Sequence, residues 1–269
     1  MLRDAVRETH RCLLLLMLLS TLGCGDRSSR PLRIAAASDL QSALPKLADR
    51  FQAKTGIATT LSYGASGQLA EQIKGGAPFD VFLAANESFV RDLAGLGLIK
   101  PGSVHPYARG SLVLAVYHEL GEKVHSLDDL TNPEVKKIAL ANPATAPYGK
   151  AGKQALERRG LWVALEPKIV MAESVRQALM YAQEGNAEAA LVGRAIANVP
   201  EIRSVEVDPQ LYDPIIQALG VVTASARSAD AEQFARFVLG EEGQGILKEF
   251  GFTGADRDLP AADHAVKPK

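Results

Sequence analysis

Between Leu32 and Phe250 the chain repeats one pattern: a short apolar run, then a segment in which apolar side chains recur every three or four positions. The first run reads as a buried strand and the second as an amphipathic helix. Leu32–Ala37 is such a strand, and Leu40, Ala43, Leu44, Leu47, Ala48 and Phe51 follow at helical spacing until Gly56 stops them. The alternation predicts further strands at 57–63, 79–84, 111–117, 138–141, 169–171, 189–192, 204–207 and 216–222. It predicts further helices at 68–74, 88–96, 149–159, 174–184, 229–239 and 243–250, with a helical turn from Ser126 to Leu130. Strands that alternate with helices form an α/β fold with mostly parallel sheets, because each parallel pair needs a long crossover. With 269 residues, 47% of them apolar, the chain is long enough to bury at least one sizeable core and has room for two lobes.

The N-terminus departs from this pattern. Arg3, Arg7 and Arg11 precede the apolar stretch Cys12–Leu19, and Ser-Thr-Leu-Gly-Cys24 follows, the layout of a secretory leader over residues 1–25. The apolar core is shorter than the roughly 20 residues that span a bilayer, so an exported, otherwise soluble chain is expected. Thr21-Leu22-Gly23-Cys24 resembles the lipobox of bacterial lipoproteins, with Thr21 in place of the usual aliphatic residue. That resemblance implies a lipid anchor on Cys24; the alternative is cleavage nearby without one. Cys12 and Cys24 are the only cysteines, so beyond the leader no disulfide, zinc-thiolate or iron–sulfur centre is expected. Residues 26–30 read as a polar tether and 256–269 as a flexible tail. Lys and Arg number 30 against 31 Asp and Glu, a net charge of −1 that gives no electrostatic footprint for nucleic acid.

The functional signal lies in four strand-to-helix junctions. In open α/β sheets ligands bind beyond the carboxyl ends of the strands, where helix starts present unpaired amides and the positive end of the dipole. Ile34-Ala-Ala-Ala-Ser-Asp-Leu-Gln-Ser42 places Ser38 at such a start, and Leu61-Ser-Tyr-Gly-Ala-Ser-Gly-Gln68 places Ser66 there between glycines. Asn142-Pro-Ala-Thr-Ala-Pro-Tyr-Gly149 is a third junction and Ala172-Glu-Ser-Val-Arg176 a fourth. Small residues at a strand end let a ligand reach the backbone, and the glycines beside Ser66 permit close approach and positive φ. Pro45 either sets the helix start near Ala43 or kinks the helix. Taken singly, Ser38 reads as an ordinary helix N-cap. Four such junctions in one chain read as helix starts able to converge on a small anion.

In this order the junctions resemble those of the periplasmic molybdate-binding proteins of ABC importers. The similarity runs from Leu32 to Phe252, through AAASDLQSALPKLADRF, SYGASGQLAEQIKGGAPFDVFLAAN, NPATAPYGKAGKQAL, AESVRQAL and EFGF. It implies a two-lobed type II periplasmic-binding-protein fold, α/β in class, each lobe a mostly parallel sheet flanked by helices, with two hinge crossings. Lobe I would comprise 32–110 plus 217–255 and lobe II 111–216. The implied function is capture of molybdate or tungstate between the lobes and delivery to an ABC permease and its ATPase, with no cofactor and no catalysis. The implied state is a periplasmic monomer that touches the membrane only through its lipid anchor.

Carried onto this chain, the family's oxyanion ligands are Ser38 and Ser66, through hydroxyl and amide, and the backbone amides of Tyr148, where the family often has alanine, and Val175. Many members add a tyrosine hydroxyl where this chain has Gly193. Either one donor is lost here, or the phenol of Tyr148 or the guanidinium of Arg194 replaces it; Arg194 alternatively reads as a surface charge. The same fold with sulfate, chromate, a phosphonate or a small organic anion is the alternative reading, and an accessory lipoprotein that delivers no cargo is a third.

The chemistry of such a site follows without the family. Fixed neutral dipoles in a dry cleft hold a dianion because no solvation shell has to be rebuilt around it. A donor-only lining disfavours a protonated oxyanion, whose own O–H would face an N–H. Enzyme readings find less support. Gly64-Ala-Ser-Gly-Gln68 has Gln68 where a nucleophile elbow needs its second glycine, and none of His10, His105, His118, His125 and His264 sits at a junction. No His-Glu-x-x-His spacing exists, and Gly149-Lys-Ala-Gly-Lys153 lacks the Walker A spacing. Asp128-Asp129 and Glu241-Glu242 read as helix-start pairs, and Tyr107 and Trp162 as core or hinge packing.

Overall fold

The computed structural model describes residues 30–120 and 122–255. Cys12, Cys24, the leader and lipobox read at 1–25, and the tail at 256–269 lie outside the described residues. The strands are β1 (Leu32–Ala37), β2 (Thr59–Gly64), β3 (Val81–Ala84), β4 (His105–Gly110), β5 (Leu112–Tyr117), β6 (Ile138–Ala141), β7 (Ile169–Ala172), β8 (Ala189–Gly193), β9 (Ile202–Glu206) and β10 (Ile215–Val221). The helices are α1 (Leu44–Thr55), α2 (Ser66–Lys74), α3 (Glu87–Gly95), α4 (Pro147–Arg158), α5 (Trp162–Leu165), α6 (Val175–Gln183), α7 (Ser228–Leu239) and α8 (Glu241–Glu249). Among the described residues no helix is long and apolar enough to cross a membrane.

Two five-stranded sheets form, in the orders β2-β1-β3-β10-β4 and β7-β6-β8-β5-β9. In the first, β1 pairs parallel with β2 and β3, while β10 pairs antiparallel with β3 and β4. In the second, β6 pairs parallel with β7 and β8, while β5 pairs antiparallel with β8 and β9. Each sheet therefore has one reversed strand, β10 or β5, among strands that share a direction. The reversed strand is the one that receives the chain from the other sheet: β4 runs through Ser111 into β5, and β9 leads through 207–214 into β10. The mostly parallel sheets read from the sequence are thus mixed, since a direct crossing enters the second sheet against the direction its βα units set.

One element differs from the sequence expectation here. The edge strand β4, His-Pro-Tyr-Ala-Arg-Gly, was not anticipated, because it carries no apolar run and contains Pro106, which only an edge tolerates. The strand that returns to the first sheet begins at Ile215, which pairs with Gly110.

Physical causes are visible in each element. The central strands Leu112–Val116, Ile138–Ala141 and Ala189–Val192 are fully buried, as expected for strands covered by helices on both faces. Between β1 and α1 lies a short 3-10 turn, Ser38–Gln41, and Pro45 falls in the first turn of α1, so the proline starts that helix and does not kink it. Gly56 ends α1 in the left-handed conformation, φ 74°. The buried face of α1 is Leu44, Leu47, Ala48 and Phe51, with Phe51 edge-on to Phe234 of α7 at 5.1 Å between centroids. Glu242 of α8 pairs with Arg50 and Lys54 of α1, and Asp128 with Arg159; these exposed pairs add little stability. Trp162 packs against the second core, with the Lys153 ammonium 4.9 Å from its ring centroid.

One packing feature joins the lobes. Ala37, Ala65 and Ala85, which follow β1, β2 and β3 or close them, pack into the hydrophobic cluster of the second sheet.

Candidate functional site

Helix starts in this fold divide into two kinds. Asn86 caps α3 by accepting from Ser88 N–H at 2.8 Å, and Ser174 caps α6 by accepting from Gln177 N–H at 3.2 Å. By contrast Ala37, Ala65 and Ala146 stand at the cap positions of the Ser38 turn, α2 and α4, with no side-chain cap bond. Alanine at an N-cap costs about 1 kcal/mol against serine or asparagine. The ordinary reading of Ser38 as an N-cap therefore fails: Ser38 and Ser66 are the first helical residues, one position past the cap. Their hydroxyls do not close the helix starts, and the first-turn amides have no carbonyl partner within their own helices.

All four junctions meet at one cavity. It is lined by Ala37, Ser38, Asp39, Gly64, Ala65, Ser66, Ala85, Ala146, Pro147, Tyr148 and Val175. Traced by the centre of a water molecule its volume is about 10 Å³, a tight chamber on the scale of one small guest. No Lys, Arg or His lines it. Ser38 and Ser66 are 5% and 0% exposed. The Ser66 oxygen accepts from Ala85 N–H at 3.0 Å, which leaves its own O–H to point elsewhere. Tyr148 is the second residue of α4, after Pro147, and Val175 the first of α6, so both amides belong to first turns.

The glycines beside Ser66 act through space rather than through φ. Neither Gly64 nor Gly67 has positive φ. Gly67 donates its N–H to Thr145 O of the other lobe at 2.9 Å, and a Cβ there would lie 3.0 Å from Thr145 Cα. Two backbones meet directly at this point.

Behind the cavity lies a buried polar cluster that the sequence did not reveal. Asp39 is 0% exposed, and its Oδ2 accepts from Gln217 Nε2. Gln217 Nε2 also donates to the Tyr148 hydroxyl at 3.1 Å, and Tyr107 donates to Gln217 Oε1 at 2.5 Å. Burial pushes the Asp39 carboxyl up to about 6, against the opposing hydrogen bonds from Gln217 and Tyr148. Burial, and then the Asp39 charge, raise both phenols well above their usual range, so Tyr107 and Tyr148 stay neutral donors. No spacing links residues 39, 107, 148 and 217 in the chain; only the crossing of β4 and β10 brings them together.

Neither Gly193 nor Arg194 is among the residues that line the cavity. A Cβ at Gly193 would lie 2.9 Å from Tyr148 Cε1 and Cζ, and one at Gly110 would lie 2.0 Å from Tyr148 Oη. The Tyr148 ring thus occupies the volume above Gly193. Arg194 is exposed, pairs with Glu206 and packs its stem against Gly251. Larger depressions among the described residues are open surface grooves, about 300 Å³ beside Lys100, about 370 Å³ beside Lys123 and about 360 Å³ beside Gln244 and Phe252; Lys100 and Lys123 are paired, with Glu232 and Glu134.

Comparison with known proteins places the chain among binding proteins. The model of the bacterial extracellular solute-binding protein family matches residues 32–253. The molybdate-binding protein ModA of Rhodobacter capsulatus is 32% identical over 220 residues, 81% of this chain and 86% of that protein. The solved periplasmic molybdate-binding protein of Azotobacter vinelandii superposes with a TM-score of 0.77 at 33% identity, covering 86% of this chain and 100% of that one. The sulfate-binding protein SubI of Mycobacterium tuberculosis, at 17% identity, shares the fold with a TM-score of 0.72, covering 84% of this chain and 88% of that one.

Proposed function

The chain belongs to the bacterial extracellular solute-binding protein family, and on that premise we propose that it captures molybdate, and tungstate equally, in the cleft and hands it to an ABC importer. The observation that carries this reading is the cavity lined by four helix starts, three of them preceded by alanine, with no cation among its lining residues. A site of helix starts and hydroxyls without cations, its one carboxylate, Asp39, held by Gln217, suits a small dianion that brings no proton of its own. The Ser38 and Ser66 hydroxyls and the amides of Tyr148 and Val175 are the donors in this proposal. Gly193 contributes no side chain to it, and Arg194, turned outward to Glu206, contributes no guanidinium.

Binding is the whole task in this reading, with no chemistry on the anion. Ser66 holds a hydrogen bond from Ala85 N–H, and no histidine lines the cavity to activate it. The leader over residues 1–25 and the relatives' extracellular assignment support export, with Cys24 as the lipid anchor of a monomer. The partners are a permease and its ATPase. A thermal melt tests the reading. At a hundredfold excess over its dissociation constant, molybdate adds about 2.7 kcal/mol to stability, a rise of several degrees; an unchanged melting temperature contradicts it.

A further inference from the structure

Tyr148 offers two groups on opposite sides. Its amide opens α4 at the cavity, while its phenol enters the buried cluster of Asp39, Gln217 and Tyr107. Tyr148 belongs to the second lobe. Its partners belong to the first: Asp39 in the turn after β1, Tyr107 on β4 and Gln217 on β10. β4 and β10 are also the strands through which the chain leaves and re-enters the first lobe.

The donors and acceptors of this cluster match in one sense only. Tyr107 O–H donates to Gln217 Oε1, and the Gln217 amide donates to Asp39 Oδ2 and to the Tyr148 oxygen. The Tyr148 proton is left free for the neighbouring Asp39 carboxylate, whose Oδ1 has no other hydrogen-bond partner. Gln217 cannot flip without setting Nε2 against Tyr107 O–H and losing both bonds from its amide. If the second lobe swung away, the Gln217 amide would lose its bond to the Tyr148 oxygen and the Asp39 carboxylate would lose the neighbouring phenol, a larger loss beside a buried charge than between neutral groups. Gly110 and Gly193 clear the space for the ring, so its position is built rather than incidental.

We propose, building on the anion-binding reading above, that Tyr148 is a positioning residue whose phenol latches the second lobe onto the first and thereby sets how long the anion stays. The same residue senses the anion through its amide and holds the closed lobes through its hydroxyl. A tyrosine that only filled core volume would be replaceable by phenylalanine without effect on release.

The test compares the wild-type protein with Tyr148→Phe, Asp39→Asn and the double variant. Release of radiolabelled molybdate into excess unlabelled molybdate is timed, and the melting temperature of the anion-free protein serves as a folding control. Loss of a hydrogen bond to a buried charge predicts release faster by roughly tenfold to a hundredfold in Tyr148→Phe. The association rate changes less than the release rate, and the Phe substitution has a smaller effect in the Asp39→Asn background. Release within about twofold of wild type overturns the latch, even if the melting temperature falls. A second readout needs no anion: small-angle scattering of the anion-free proteins should give Tyr148→Phe a larger radius of gyration. If the wild type bound neither molybdate nor tungstate, the functional reading would fail while scattering still decided the latch, an unchanged radius overturning it.

Discussion

Replacing Gly193 by alanine tests the geometry around the site with a single methyl group. Gly193 has φ −72° and ψ 138°, a conformation alanine adopts without strain, so in open space the change would be neutral or stabilising by about 0.4–1 kcal/mol. Here the added Cβ would sit 2.9 Å from Tyr148 Cε1 and Cζ and 3.2 Å from Oη. The ring cannot simply step aside. Its hydroxyl is bonded to Gln217, and the backbone of Gly110 closes the other side. Overpacking of this kind costs about 1–3 kcal/mol, equivalent to a fall of about 3–10 °C in melting temperature for a chain of this size. In a Tyr148→Ala background the clash disappears and the same substitution becomes neutral or favourable, so the two positions couple by about 1–3 kcal/mol. Calorimetric melts of the four proteins measure this cycle. Equal effects of Gly193→Ala with and without the Tyr148 ring would refute the packing argument.

Three further outcomes follow from the same geometry. Ser38→Ala and Ser66→Ala each weaken anion binding about tenfold or more while leaving the fold intact; titration calorimetry with full affinity in both would remove the serines from the site. Gly67→Ala puts a methyl 3.0 Å from Thr145 Cα, so affinity falls while the anion-free melting temperature changes little, and unchanged affinity would show that the lobes need not meet there. Burial pushes the Asp39 carboxyl up to about 6 in the folded chain from its ordinary 3.8. The folded chain therefore holds that proton more tightly than the unfolded one, and the ionised form costs stability above pH about 6. The cost fades as pH falls toward 3.8, so lowering pH from 7.5 to 4.5 should improve wild-type stability against Asp39→Asn by about 2 kcal/mol. A pH-independent difference between their urea midpoints would contradict this.

The fold was legible where one period ran long enough to bury a face. Leu32–Ala37 and Ile138–Ala141 were read with their observed bounds because they are uninterrupted apolar runs. β4 was not, since its pairing with β10 comes from its place at the crossing and not from its composition. The junctions were visible as small residues between strand and helix, but their meaning shifted. Ser38 looked like a cap, and the stronger sign was the alanine before it, repeated at 65 and 146, which leaves helix starts uncapped at a cost in stability. The reversal of β5 and β10 and the cluster of Asp39, Tyr107, Tyr148 and Gln217 were beyond the sequence, because contacts among residues so far apart have no period. Gly193 shows the limit from the other side: the missing side chain was plain, but the Tyr148 ring that fills its place is a fact of three dimensions.

The most direct measurement is a calorimetric titration of the anion-free protein with molybdate, tungstate, sulfate, chromate and phosphate in turn. Tight one-to-one binding of molybdate and tungstate, with the other three at least a hundredfold weaker, is the predicted result. Tight binding of sulfate, chromate or phosphate in their place, or no heat from any of the five, would contradict the account.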